Sequence, residues 1–151
     1  MSNENLRILV LEDDLERHAH FQKNMGVGNT LVTLEKADET IAKLKEEKWD
    51  MLFLDHDLGG KIMQESGPGT GYEVACWLEE FPQYTPEVVI IHSLNIYGAK
   101  KMQAAVKGSY LIPGVWFFTD LLEEWDKAKE IFDKNNRRLP SFDFENRGML
   151  I

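Results

Sequence analysis

The stretch FLDHDLGG, residues 53–60, joins an apolar segment to a cluster of polar side chains. Its beginning is typical of a strand that is covered on both faces, yet Asp55, His56 and Asp57 follow directly. Because an unpaired buried charge is costly, two carboxylates and an imidazole at such a strand end indicate that these groups meet a ligand there. The two glycines that close the stretch predict a loop after the strand.

Short apolar runs alternate with helical patterns along the whole chain. Strands are predicted at 6–11, 30–37, 51–57, 87–93 and 115–120. Helices are predicted at 15–26, 39–48, 71–81, 98–108 and 120–135, and the first three follow the capping residues Asp14, Asp38 and Thr70. Strands separated by helices require right-handed crossovers. The sequence therefore predicts a three-layer α/β fold, with a doubly wound, five-stranded and mainly parallel sheet between helices.

Polar side chains follow three of the predicted strands. They are Glu12, Asp13 and Asp14 after the first strand, Asp55, His56 and Asp57 after the third, and His92, Ser93 and Asn95 after the fourth. In parallel sheets, ligands bind beyond the carboxyl ends of the strands, near the point where the strand order reverses. We therefore expect the three groups to converge on one edge of the sheet.

Carboxylates from two strand ends favour a hard cation with oxygen ligands. Mg²⁺ or Mn²⁺ is preferred over zinc, because no cysteine or closely spaced histidine pair accompanies these acids. The predicted metal ligands are Glu12, Asp13, Asp55 and Asp57. Two alternatives remain open at this point: Asp13 is a helix-capping acid, or Asp57 is a turn-forming residue.

The imidazoles add chemistry that a simple phosphate acceptor does not need. His92 and His56 are predicted to act as general acid and general base while a cyclic phosphodiester opens, although His56 alternatively stabilises the following loop. Ser93 and Asn95 are predicted to hydrogen-bond a phosphoryl oxygen, or Asn95 orients His92. Asp55 is either a metal ligand or the acceptor of a phosphoryl group.

Composition narrows the class of protein. The chain has 151 residues, 43% of them hydrophobic, which suits one compact domain. Its formal charge of -9 disfavours nonspecific binding to nucleic acid. No apolar run approaches the ~20 residues that span a bilayer, and the amino terminus lacks the pattern of a secretory signal. We expect a soluble cytoplasmic protein that does not bind membranes.

Two segments resemble the receiver domain of response regulators. LRILVLEDD is similar to the opening strand and acidic pair of that family, and DMLFLD places Asp55 where the family has its phosphate-accepting aspartate. The resemblance covers roughly residues 6–134 and implies a receiver-like domain over 1–134 with flavodoxin-like topology. It also implies that Glu12 and Asp13 associate with magnesium. In contrast to receivers, VWFFTDLL has no lysine, and His92 and Ser93 follow the fourth strand.

Three further segments resemble the cyclic-phosphate-processing receiver domains. They are LDHDLGG, TGYEVACWL and IIHSLNIYGAKKM. This resemblance implies a metal-assisted phosphoesterase that processes cyclic phosphates of nucleotides or RNA ends, so that the partner is a small phosphate compound or an RNA end. The competing hypothesis is a noncatalytic signalling or interaction module that accepts phosphate on Asp55.

Two segments have open roles. Residues 58–70 form either a lid over the carboxylates or a plain loop before the third helix. Residues 135–151 depart from the receiver pattern and are predicted to be a C-terminal extension that packs on the domain or on a partner.

Overall fold

The computed structural model of the protein describes residues 5–111. The elements in chain order are β1 (Arg7–Leu11), α1 (Leu15–Met25), β2 (Thr30–Leu34), α2 (Ala37–Glu46), β3 (Met51–Leu54), α3 (Gly71–Glu80), a 3₁₀ turn (Pro82–Tyr84), β4 (Val88–Ile91), α4 (Ile96–Ala105) and β5 (Tyr110–Leu111). Within these residues, no helix is both long and apolar enough to cross a membrane.

The sheet has five parallel strands in the order β2-β1-β3-β4-β5. This confirms the predicted α/β fold with flavodoxin-like topology. The strand order reverses between β1 and β3, because the chain builds β2 on one side of β1 and then crosses to the other. Leu11 pairs with Leu54, and Leu54 with Ile91, so that the carboxyl ends of the central strands lie level.

Each central strand is buried on both faces, and alternate residues face different helices. Leu9, Leu52 and Leu54 belong to the core cluster that α2, α3 and α4 cover. The opposite face carries Phe53, whose ring meets that of Phe21 from α1 edge-on at 5.3 Å. Because side chains alternate between the two faces, the position of a polar residue just beyond the strand end decides on which face of the sheet its side chain lies.

Helix boundaries largely follow the predicted signals. The Asp14 side chain accepts hydrogen bonds from the backbone N–H groups of Glu16 and Arg17, and Thr70 accepts one from Tyr72. The prediction that Asp38 caps α2 was wrong. This helix already begins at Ala37, so Asp38 lies in its first turn, where a carboxylate still complements the helix dipole.

The described part of the fifth strand precedes the predicted run at 115–120. Tyr110–Leu111 pairs with β4, after α4 ends at Ala105 and the chain turns through Gly108 at a φ of 85°. The prediction rested on the longer apolar run at 115–120. That run, the predicted helix at 120–135 and the extension at 135–151 lie outside the described residues. Residues 112–126, which follow β5, contain no lysine in the sequence.

Gly71 fixes the start of α3 against the end of β3. Its N–H donates to the carbonyl of His56 at 2.9 Å, and a Cβ at this position would lie 1.9 Å from the carbonyl oxygen of Asp55.

We therefore expect Gly71→Ala to lower the free energy of unfolding by about 1–3 kcal/mol, because backbone must move, although alanine normally favours a helix. Gly67→Ala is the matched control, since a Cβ there meets nothing within 4 Å. Urea unfolding of the full chain measures both changes. Equal midpoints for the two variants would contradict the close approach of α3 to β3.

Candidate functional site

Three carboxylates meet where the strand order reverses. Glu12 and Asp13 follow β1, Asp55 follows β3, and one ligand atom from each lies within 4.8 Å of the others. Glu12 and Asp55 are buried, whereas Asp13 is half-buried. We call these three residues the acidic triad. Carboxylate oxygens at this spacing fit a hard divalent cation such as Mg²⁺ or Mn²⁺.

Glu12 is held in place from two sides. His92 Nε2 lies 3.0 Å from its Oε1, and Arg17 Nη1 lies 3.5 Å from its Oε2, which also accepts the Asp14 N–H at 3.1 Å. Burial alone would raise the pKa of Glu12, but the hydrogen bond and charge interaction with His92, together with Arg17, hold it below the usual 4.5. Glu12 is thereby kept ionised inside the protein.

Among the three carboxylates of the triad, the charged form is least favoured at Asp55. It is 3% exposed, accepts the His56 N–H at 2.8 Å, and lies 4.0 Å from Arg17 Nη1. Burial, followed by the charge of Glu12, raises the pKa of Asp55 from 3.8 to about 8, although a hydrogen bond with Ser93 opposes this rise. A cation bound at the triad would remove much of this unfavourable charge.

Asp13 links the triad to the loop after β3. Its Oδ2 accepts the Gly60 N–H at 2.6 Å. Burial and the charge of Glu12 raise the pKa of Asp13 above its usual value, while the hydrogen bond from Gly60 lowers it. The position of the loop and the state of this carboxylate therefore depend on each other.

A cavity of about 410 Å³ opens above the triad. The lining combines acids with two cations, Arg17 and Lys61, and with apolar side chains from two loops. Lys61 was not identified from the sequence, because its place in the cavity depends on the path of the loop and not on a local pattern. Of the predicted phosphate-binding residues, Ser93 lines the cavity beside Asp55.

Asp57 shapes the loop and lies outside the acidic triad, although it also lines the cavity. Its carboxylate accepts the backbone N–H groups of Met63 at 2.7 Å and Gln64 at 3.1 Å. His56 Nδ1 at 2.8 Å and the Asn95 amide at 3.1 Å contact it as well. These bonds lower the pKa of Asp57 against the effect of burial. The predicted alternative of a turn-forming residue describes this geometry.

His56 and Asn95 fasten the same loop to α4. His56 is fully buried, and its Nε2 lies 2.8 Å from the Ser66 hydroxyl. Its ring packs so closely on Gly98 that a Cβ there would lie 2.3 Å from the imidazole. Asn95 caps α4 by accepting the Gly98 N–H at 3.0 Å, and its amide donates to the carbonyl of Gln64 at 3.1 Å.

Neither of the two histidines predicted to be catalytic, His56 and His92, is among the residues that line the cavity above the triad. His92 lies behind Glu12 with its ring against Phe21, at 5.5 Å between ring centroids, and is fully buried. His56 lies beneath the loop on the other face of the sheet. The geometry therefore gives both imidazoles a contact with a carboxylate, and the predicted acid-base roles stay predictions.

The chain matches the family model of the cyclic-phosphate processing receiver domain over residues 8–108, which is more than half of its length. A comparison with curated proteins finds no match. Among solved structures, the chain is similar to the phosphorylated cyanobacterial phytochrome response regulator RcpA, with 21% identity, a TM-score of 0.65, and coverage of 91% of this chain and 99% of that one.

Two further similar structures hold metals. The Mn²⁺-bound response regulator Rcp1 is 17% identical with a TM-score of 0.65, over 89% of this chain and 99% of that chain. The regulator TrrA from Thermotoga maritima, in complex with Mg²⁺ and BeF, is 22% identical with a TM-score of 0.58, over 82% and 98%. At these identities the comparisons show a shared receiver fold.

The acidic triad predicts carboxylate-dependent metal binding. We expect Asp13→Asn and Asp55→Asn each to weaken Mn²⁺ binding by about tenfold or more, since even the loss of a supporting partner typically costs that much. Calorimetric titration with MnCl₂ measures the affinities. Glu87→Gln is the matched control, because this exposed acid precedes β4 at the opposite edge of the sheet. An affinity that neither triad variant changes would place the cation elsewhere.

The raised pKa of Asp55 predicts how stability depends on pH when a chelator removes the cation. Between about pH 4 and 8 the folded protein holds a proton on Asp55 that the unfolded chain releases, so the free energy of unfolding falls as the pH rises. The slope reaches at most about 1.4 kcal/mol per pH unit. Urea unfolding at several pH values measures it. Asp55→Asn should reduce the slope, and a variant with the wild-type slope would refute the assignment.

Proposed function

We propose that the strand-end site is a Mg²⁺- or Mn²⁺-dependent phosphoesterase site, because this chain belongs to the family of cyclic-phosphate processing receiver domains. The substrate is a cyclic phosphate of a nucleotide or of an RNA end. The observation that carries the proposal is the cavity of about 410 Å³, which Asp13 and Asp55 of the acidic triad line together with the two cations Arg17 and Lys61. This volume lies in the range of small-molecule sites and exceeds the need of a phosphoryl group alone.

In this proposal, Glu12, Asp13 and Asp55 hold the cation. When bound, the cation offsets the acidity of the site and polarises a phosphorus–oxygen bond. Arg17 and Lys61 flank the same cavity and balance the charge of an anionic ester. The Ser93 hydroxyl, beside Asp55, hydrogen-bonds a phosphoryl oxygen.

The two imidazoles act through carboxylates in this scheme. His92 fixes the direction of Glu12 and keeps it ionised, so it is a positioning residue for the cation. His56 orients Asp57, which in turn sets the path of the loop that brings Lys61 to the cavity. Substitution of His92 should therefore act by weakening metal binding, and not by changing a step that moves a proton.

A second candidate function is a signalling receiver in which Asp55 accepts a phosphoryl group. Asp55 favours it, because the carboxylate lines the cavity next to Glu12 and Asp13 and beside Ser93. The absence of a lysine from residues 112–126 argues against it. Without that lysine, a phosphorylated Asp55 lacks the cation that senses the modified state in receivers. In either case we propose that the protein works in the cytoplasm.

We expect metal-dependent hydrolysis within a panel of 2′,3′-cyclic nucleotides, 3′,5′-cyclic nucleotides and RNA that ends in a cyclic phosphate. The measurement compares magnesium, manganese and a chelator for the wild type, Asp55→Asn, His92→Ala and the control Glu87→Gln. Asp55→Asn should lower kcat/KM on the order of a hundredfold, because both a metal ligand and a charge at the reacting group are lost. The loss in His92→Ala should shrink at saturating Mn²⁺.

An acetyl phosphate assay on the same variants separates the two functions. Stable labelling that depends on Asp55, with no hydrolysis in the panel, would refute the phosphoesterase and support the signalling receiver. Hydrolysis that the chelator does not affect would contradict the role of the acidic triad.

A further inference from the structure

Exposed apolar side chains concentrate around the acidic triad. In the part of the chain that the structure describes, the exposed large apolar residues are Leu15, Val27, Ile62, Met63, Phe81, Tyr84, Leu94 and Tyr97. Five of these eight follow the carboxyl ends of β1, β3 and β4 and so lie at the same edge of the sheet as the triad. Apolar side chains exposed together at one edge mark a contact site more often than scattered ones do.

Three of the five line the cavity itself. Ile62 is 85% exposed, Met63 59% and Leu94 53%, and they come from two different loops. The cavity therefore has a charged part, formed by Asp13 and Asp55 with Arg17 and Lys61, and an apolar part, which these three side chains supply. A ligand that fills both parts is anionic at one end and apolar at the other.

Hydrogen bonds hold Met63, one of the three apolar residues, in place at the cavity. Met63 has a φ of 51°, and it is the only residue other than glycine with positive φ in the described part of the chain. Non-glycine residues adopt this conformation at an energetic cost and persist in it where the surroundings impose it. Here the Asp57 carboxylate holds the Met63 N–H at 2.7 Å, while buried His56 and Asn95 hold Asp57. The loop is thus fixed with Met63 at the cavity.

We propose that Ile62, Met63 and Leu94 form a subsite for the nucleobase of a nucleoside cyclic phosphate whose phosphate lies over the acidic triad. This inference rests on the proposed function and adds the part of the substrate that is recognised away from the phosphate. Charge complementarity supports this occupant, since Arg17 and Lys61 would take the anionic end together with a cation held by the triad. A flat aromatic ring suits the apolar end, because a thioether and aliphatic side chains pack well on it.

The subsite also predicts how the base is selected. Its three side chains carry no hydrogen-bonding group that would read the edge of a base. Purines and pyrimidines should therefore be accepted with similar efficiency, while a cyclic phosphate without a base should be a poor substrate.

The experiment compares kcat/KM for uridine or adenosine 2′,3′-cyclic phosphate with that for methyl β-D-ribofuranoside 2,3-cyclic phosphate, which has the same sugar and phosphate ring and no base. We expect the wild type to prefer the nucleoside by about tenfold or more, the effect of burying one flat apolar group. Leu94→Ser and Ile62→Ser should each lower this preference by roughly fivefold. Val27→Ser is the control, because Val27 is equally apolar and 86% exposed between α1 and β2.

The outcomes separate the subsite from the proposed function. Equal use of both compounds by the wild type would overturn the subsite and leave the phosphoesterase standing. A preference that survives in both serine variants would also overturn the subsite and would leave the apolar side chains as a contact surface for a protein. If no cyclic phosphate binds or reacts, the proposed function fails, and the subsite fails with it.

Discussion

The repulsion among three carboxylates at the reversal of strand order is the constraint on which the rest of this site depends. Glu12 and Asp55 are both buried, and one of them stays ionised because His92 and Arg17 stabilise it, while the pKa of the other rises to about 8. Such an arrangement lowers the stability of the folded chain unless a cation joins it. The cost of this arrangement is an argument for metal binding, because a cation would offset the charge of the buried carboxylates.

Strand parity explains which residues share this site. Along β1 and β3, the residues that face α1 lead to Glu12 and Asp55, and along β4 they lead to His92. His56 follows Asp55 by one residue and therefore begins on the opposite face, where it meets Gly98 of α4. The sequence was sufficient to predict this separation, together with the parallel sheet and the convergence of the strand ends. These features follow from periodicity, which is local, and from a general rule of chain topology.

The path of the loop after β3 could not be predicted from periodicity or from chain topology. Its course depends on one carboxylate, Asp57, that holds two backbone N–H groups of the loop, and on Asn95, which arrives from a distant part of the chain. No periodic pattern in the sequence indicates these contacts. The sequence therefore did not decide whether Asp57 is a metal ligand or a turn-forming residue. For the same reason Lys61 and Met63 were not recognised as cavity residues.

The loop also bears on the choice between an enzyme and a signalling module. A phosphoryl switch of the receiver type needs a cation that senses the modified aspartate. In this chain the loop adds a wall with Lys61, Ile62 and Met63, and its Gly60 N–H contacts the triad residue Asp13. With this wall the cavity has a volume of about 410 Å³, more than a phosphoryl group alone needs, while residues 112–126 contain no lysine. Both features bear on the same site, and both are consistent with the proposed binding of a phosphate ester in the cavity beside Asp55.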